Sequence, residues 1–336
     1  MPAMIDVARL AGVSHQTVSR VLNGHPSVRH TTRLRVRAAM QELGYRPNRA
    51  ARMLATGRSH IVGVVTENTA LYGPASMLAA VEHALANAGF AVSIASVPTL
   101  DGAAILGAVD RLLDQRVGGI VLITPVASAN DALGSLPGDL PYVAVDGDPA
   151  HTRRVVTGDQ KLGARLATQH LLDAGHRNIW HIAGPRDWYD AADRLAGWRA
   201  TLHDAGVDEP PVIDADWSLA GGYRAGQMLA RIADAHAVFA ANDHLALGAM
   251  KALHDAGKRV PEDVSIVGFD DIPEAAYLSP ALTTVRPDFA GVAALTVRGL
   301  LDQMNDHAAG NVIAPDDPVP PELVIRGSVS VARRAR

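Results

Sequence analysis

Gln16 and Arg20 stand one helical turn apart, and both side chains can read the edge of a base. A glutamine donates to and accepts from adenine in a bidentate pair, while an arginine reads guanine or clamps a phosphate. His15 and Ser19 share that outward side, and Thr17 and Ser19 are natural phosphate ligands. A second polar set comes much later, and three of its members follow short apolar runs: Asp146 after Val145, Asn242 after Ala241 and Asp270 after Phe269. Arg194 and Trp217 fall between them in sequence. Carboxylates, an amide and a guanidinium can each engage two neighbouring hydroxyls, and an indole packs on the C–H face of a sugar ring. The set therefore suits a polyhydroxylated ligand. The plainer alternative makes each one a helix cap or a core aromatic, and for a single Asp after a strand it is the better bet.

The first set needs a pair of short helices. Ile5 to Ala11 has helical periodicity, with Val7, Ala8 and Ala11 on one face, and Gly12-Val13 then interrupts it. Glycine is free to take the left-handed conformation that ends a helix. Ser14 is placed to cap a second helix by accepting from the Thr17 amide, with Val18, Val21 and Leu22 at core spacing. Two helices joined by such a turn form a helix-turn-helix, whose second helix lies in the major groove. A third helix, capped near Thr31 or Thr32 and closed by Gly44, would put Leu34, Val36, Met40 and Leu43 inside. An amphipathic hairpin with merely solvated His15 and Gln16 is the bland alternative.

Charge favours the nucleic-acid reading. Residues 1–58 hold ten arginines against Asp6 and Glu42, a charge of +8, whereas the whole chain is −4. A cationic head on an acidic body suits the counterion release that drives binding to duplex DNA. The chain has 336 residues, which suits a small head and a larger body, and it has no cysteine, which removes disulfides, thiolate metal sites and thiol catalysis. The start of the chain lacks the pattern of a signal peptide, and no apolar run reaches the roughly twenty residues of a membrane span. A cytoplasmic protein with no membrane partner is expected. No Walker loop, Gly-x-Ser-x-Gly elbow or paired-histidine zinc motif occurs, so neither an enzyme, a cofactor nor a metal is expected. Asp270-Asp271 is a poor metal pair because adjacent strand residues point to opposite faces.

The second set needs strands. From His60 onward, short apolar runs alternate with helix-length amphipathic stretches: Ile61–Val65, Val92–Ala95, Gly119–Ile123, Tyr142–Val145, Ile179–Ile182, Ala237–Ala240 and Val264–Phe269. That alternation predicts parallel sheets sandwiched by helices, and the number of strands suggests two of them, divided near Thr157-Gly158-Asp159. In open parallel sheets ligands sit beyond the carboxyl ends of the strands.

Asp6-Val7-Ala8, Ala11-Gly12-Val13-Ser14 and the run from Gln16 to Asn23 resemble the head of the lactose-repressor (LacI/GalR) family of bacterial transcription regulators. Gly44 to Asn48 and Ala50 to Ala55 resemble that family's hinge, and the likeness extends over essentially the whole chain. It implies a small all-α helix-turn-helix head at 1–46, a hinge at 47–59, and an α/β periplasmic-binding-protein-like body of two parallel-sheet lobes at 60–336. The lobes would comprise about 60–157 with 286–315, and about 158–285 with 316–330. The implied DNA contacts are Ser14, His15, Gln16, Thr17, Ser19, Arg20, Asn23, Asn48, Arg49, Ala51 and Leu54. Leu54 would be a minor-groove wedge on a hinge that becomes helical only on DNA. The implied effector contacts are Asp146, Arg194, Trp217, Asn242, Asp270 and Phe289, with Leu71 and Pro74 as an apolar wall. Where the family pattern has serine this chain has Glu67 and Asp190; Gly73 replaces alanine and Pro287 replaces glutamine. Asp190 is therefore included as an effector contact, and Trp188 and Tyr189 beside it can add a stacking surface.

The resulting expectation is a homodimer on a pseudo-palindromic duplex operator, repressing carbohydrate-utilisation genes until a sugar or glycoside releases it. Dimerisation follows from the need for two half-sites, and the C-terminus lacks the leucine repeats that would build a tetramer. The alternatives are a ligand that acts as corepressor and, much less favoured, a sugar-binding transport component.

Overall fold

The computed structural model describes residues 2–22, 25, 27–45, 59–67, 71–148, 151–152, 154–305 and 317–332. The chain divides into two compact units, residues 1–59 and 60–336.

In the first unit, helices α1 (Met4–Leu10), α2 (His15–Leu22) and α3 (His30–Glu42) enclose Val7, Ala8, Ala11, Val18, Val21, Val36 and Ala39. Gly12 turns the chain at φ +61, and the Ser14 hydroxyl caps α2 by accepting from the Thr17 amide at 3.2 Å. Gly44, at φ +59, closes α3. The start of α3 differs from expectation: Arg29 is the N-cap residue and makes no side-chain cap bond, while Thr31 and Thr32 lie inside the first turn. Leu34 is also not in the core, being 53% exposed. Val36 and Ala39 define the buried stripe, and a residue two positions earlier lies roughly 200° around the helix.

The second unit holds two sheets. Strands β1 (Ile61–Glu67), β2 (Ala91–Val97), β3 (Gly119–Ile123), β4 (Tyr142–Val145) and β5 (Val155–Val156) form the first, in the order β2-β1-β3-β4-β5, all parallel. Side chains alternate between its faces. Val62, Val64, Val121, Ile123, Val143 and Val145 pack under α4 (Tyr72–Asn87) and a later helix; Val65, Ile120, Leu122 and Ala144 pack under α5 (Gly102–Asp114). Coverage on both faces explains why β1, β3 and β4 read as apolar runs, whereas the edge strand β2 leaves Ile94 exposed. α4 begins two residues before Pro74, where the missing amide of a first-turn proline costs nothing. A short helix, α6 (Asn130–Gly134), follows β3.

The chain then crosses at residues 157–159 into α7 (Gln160–Asp173) and the second sheet: β6 (Ile179–Ala183), α8 (Tyr189–Asp204), β7 (Ile213–Asp214), α9 (Leu219–Leu229), β8 (Ala237–Ala240), α10 (Asp243–Asp255), β9 (Ser265–Phe269) and β10 (Thr283–Arg286). It returns through α11 (Phe289–Asn305), which is the other helix packed on the first sheet, and ends in β11 (Glu322–Val324). The second sheet runs β11-β10-β9-β8-β6-β7, parallel except for β11. The connecting segments pair: Val319 donates to the Thr157 carbonyl at 3.0 Å, and Asp159 donates to that of Val319 at 2.8 Å.

Close helix contacts depend on missing side chains. A Cβ on Gly226 of α9 would lie 2.7 Å from Ala249 Cα, and one on Gly248 of α10 would strike the backbone of Leu219 and Tyr223. Gly248→Ala should therefore cost about 1–3 kcal/mol by overpacking. A lower urea midpoint with an unchanged slope is the expected record, and an unaltered midpoint would refute the close packing.

Candidate functional site

Every strand-end residue singled out from the sequence arrives at one cleft between the two sheets. Asp146 follows β4, Asn242 follows β8 and Asp270 follows β9, while Asp190 and Arg194 stand on the first turns of α8, after β6. Leu71 and Pro74 belong to the start of α4, Phe289 to the start of α11, and Trp217 lies between β7 and α9. Two narrow adjoining cavities occupy the cleft and share Gly73, Pro74, Asp190, Arg194 and Asp270. Leu71, Trp217 and Asn242 line the second cavity; Asp146 and Phe289 line the first.

Arg194 is the centre of the site. It is 5% exposed; its Nε donates to Gln160 Oε1 at 2.9 Å and its Nη1 to the Ala241 carbonyl at 2.6 Å. Its guanidinium lies 3.7 Å from the Phe269 ring centroid and 5.6 Å from that of Trp217. Nη2 faces Asp190 at 3.7 Å and Asp270 at 3.6 Å, which are ion-pair but not hydrogen-bond distances. The two strongest bonds thus lock the fork in place and leave the third nitrogen between two carboxylates.

The acids are held with equal care. Asp146 and Asp270 adopt positive φ, +55 and +104. The turn carrying Asp270 is pinned by Asp243, which accepts from Ile272 N at 2.9 Å and from the Thr284 hydroxyl at 2.6 Å. It is pinned again by Asp271, which pairs at 2.6 Å with both Arg286 and Arg326. Asp271 thus works within the fold while Asp270 faces the cavity; both lie past the end of β9 at positive φ, so the turn and not strand alternation separates them. Burial pushes Asp270 up to about 7, with Arg194 opposing and Asp190 adding to the rise. Asp146 is driven well above the usual carboxylate range by burial and then by Asp190. Asp190 is raised by burial against the pull of Arg194, and Glu67 by burial and by Asp187.

Asn242 also does what the plainer reading anticipated. Its Oδ1 caps α10 by accepting from Leu245 N at 2.8 Å, and its Nδ2 donates to the Trp217 carbonyl at 3.3 Å. One amide proton and one lone pair remain for a ligand. Trp217 is 7% exposed and meets Trp188 edge-to-face at 5.7 Å. Trp188 belongs to a strap between the lobes, where Ala127 donates to the Asp187 carbonyl at 3.0 Å and Tyr189 to that of Pro125 at 2.9 Å. Gln160, Phe269 and Tyr72 were not anticipated as parts of the site. Gln160 alone carried a signal, as a polar residue directly after the Asp159 cap of α7.

In the first unit, Ser14, His15, Gln16 and Arg20 are exposed at α2, with Thr17 and Ser19 half-buried beside them. Arg20, Arg29, Arg35 and Arg37 have no ion pair among the described residues. Asn23, Asn48, Arg49, Ala51 and Leu54 lie outside the described residues.

Residues 3–48 match the family described as bacterial regulatory proteins, lacI family, and residues 168–329 match a periplasmic binding protein-like domain. The lactose operon repressor of Escherichia coli (strain K12) is 36% identical over 315 residues, covering 93% of this chain and 88% of the relative. The chain belongs to the lacI family. As a lacI-family member it is a DNA-binding transcription regulator, not an enzyme. The HTH-type transcriptional regulator CelR of Thermobifida fusca is 38% identical, covering 85% of this chain and 86% of that one. A solved lac repressor dimer, bound to operator and the anti-inducer ONPF, superposes with a TM-score of 0.83 at 33% identity, covering 98% and 99% of the two chains. Among the described residues of this lacI-family chain, no helix is long and apolar enough to cross a membrane.

Proposed function

We propose that the chain is a cytoplasmic, homodimeric repressor of carbohydrate-utilisation genes that leaves its operator when a sugar or glycoside enters the cleft. The observation that carries this reading is the cleft itself, where a buried guanidinium, three carboxylates, an amide and an indole line adjoining cavities. Such groups grip vicinal hydroxyls and the C–H face of a ring. Support comes from a solved CelR–cellobiose complex, which aligns over 98% of this chain at 32% identity with a TM-score of 0.68. On this reading residues 1–46 are the DNA-reading head and 47–59 a hinge with Leu54 as its minor-groove wedge. Residues 60–336 bind effector and dimerise. The lobes are about 60–157 with 286–315, and about 158–285 with 316–330. The DNA contacts are Ser14, His15, Gln16, Thr17, Ser19, Arg20, Asn23, Asn48, Arg49, Ala51 and Leu54, and the effector contacts are Leu71, Pro74, Asp146, Asp190, Arg194, Trp217, Asn242, Asp270 and Phe289.

Selection from a random duplex pool tests the reading. The protein should enrich a pseudo-palindrome, and Gln16→Ala should weaken binding to it by about 1–3 kcal/mol while relaxing one base pair per half-site. Failure to enrich any twofold motif would refute it.

A further inference from the structure

We propose that the effector is a cationic sugar, an aminosugar or aminosugar glycoside, whose ammonium group sits between Asp146 of one lobe and Asp190 of the other. This rests on the reading of the cleft as the effector site and narrows the ligand within it.

Three buried or nearly buried carboxylates, Asp146, Asp190 and Asp270, line the cavities with Arg194 as the one cation in their walls among the described residues. Arg194 spends its hydrogen bonds on neutral acceptors, the Gln160 amide oxygen and the Ala241 carbonyl, and stands 3.6–3.7 Å from Asp190 and Asp270. Asp146 accepts a single long bond, 3.4 Å from Gly158 N. Among the described residues the neighbouring charges offer no relief. Arg286 and Arg326 are committed to Asp271, and Asp243 is another buried acid. His181 is buried between Trp198 and Phe239 and donates from Nδ1 to the Phe239 carbonyl, so it sits in the core behind the site. Glu67 and Asp187 add further negative charge close to one another.

The geometry sets acids of like charge on opposite lobes. Asp146 follows a strand of the first sheet and Asp190 begins a helix packed on the second, and both line the first cavity within each other's field. With a neutral polyol these acids keep the protons that burial favours, whereas an ammonium with its three donors stabilises both as carboxylates at once. The aromatic wall agrees. Trp217 is 93% buried, lines the second cavity and has an indole nitrogen without a hydrogen-bond partner, while Trp188 meets it edge-on. The Arg194 guanidinium already lies 5.6 Å from that ring, so the indole wall is left to the sugar's C–H groups while the ammonium goes to the acids of the first cavity.

The test compares matched disaccharides on the full-length protein by tryptophan fluorescence and calorimetry: cellobiose, its 2,2′-diamino counterpart made from chitosan, and N,N′-diacetylchitobiose. D-galactose, D-galactosamine and N-acetyl-D-galactosamine form a second set. In at least one set the amine should bind about tenfold or more tighter than both the hydroxyl and the acetamide member. Asp190→Asn and Asp190→Ser should abolish most of that preference. Should either variant fail to fold, the wild-type ratio of amine to hydroxyl still decides, because an ammonium and a hydroxyl are nearly the same size and differ in charge. Neutral sugars that bind as well as their amines and release operator would leave the sugar reading standing and overturn this inference. Binding of no sugar from either set would overturn both, and a preference retained in Asp190→Asn would overturn the placement of the ammonium.

Discussion

Arg194→Ala should bind the releasing sugar more weakly by about 2–5 kcal/mol, roughly thirty- to several-thousand-fold, and should remain on its operator at sugar concentrations that clear the wild-type protein. The size follows from what the guanidinium does. It fixes Gln160, caps the Ala241 carbonyl, stacks on Phe269 and presents Nη2 between Asp190 and Asp270. Truncation removes the donor that meets the ligand's hydroxyls and leaves Asp190 and Asp270 without the fixed counter-charge that orients them as acceptors. Linkage makes the same loss visible from the DNA side, because a ligand shifts the equilibrium only by its differential affinity for the two states. Operator affinity without sugar, measured beside the release curve, separates a deaf regulator from an unfolded one. An unchanged half-maximal sugar concentration would place the effector elsewhere.

The parts of this molecule that were legible in the sequence are those where one local signal decides the outcome. Ser14 caps α2 because its hydroxyl is one residue ahead of the helix, and Gly12 turns the chain because its φ is +61. The central strands announced themselves as apolar runs because helices cover both faces of each sheet. Strands β5 and β7, two residues each, carry no periodicity of their own and exist through their neighbours' hydrogen bonds. Leu34 looked like core because leucine is usually buried, yet the helical phase set by Val36 and Ala39 turns it outward. The site shows the same division. Strand-end position brought Asp146, Asn242 and Asp270 together, but nothing local reveals that Gln160 and Phe269 clamp the guanidinium from two other elements. Those contacts are tertiary, set by how α7 and β9 meet α8.

Stability of the second unit should fall as pH rises from about 4 to 7, and Asp270→Asn should remove much of that slope. Asp270 has a folded pKa of about 7, far above an unfolded carboxylate. A raised carboxylate pKa means that the folded state holds the proton more tightly than the unfolded chain. Its contribution is whole below the unfolded value and is lost as pH passes through the folded one. Three pKa units correspond to a loss of about 4 kcal/mol, an upper bound for one member of a cluster whose protons interact. Asp146 and Asp190 are shifted in the same direction and should deepen the slope. All four tryptophans, at 180, 188, 198 and 217, lie in the second unit, so fluorescence-detected urea unfolding of the full chain reports this unit alone. The difference between wild type and Asp270→Asn, taken at pH 5, 6, 7 and 8, isolates the one group from the remaining titrations. The variant should be the more stable protein at pH 8 and the poorer sugar binder, because the acid that destabilises the empty cleft is one that a ligand would engage. Parallel midpoints for the two proteins across that range would show that Asp270 is ionised throughout, and the cleft would then have to close over its full negative charge.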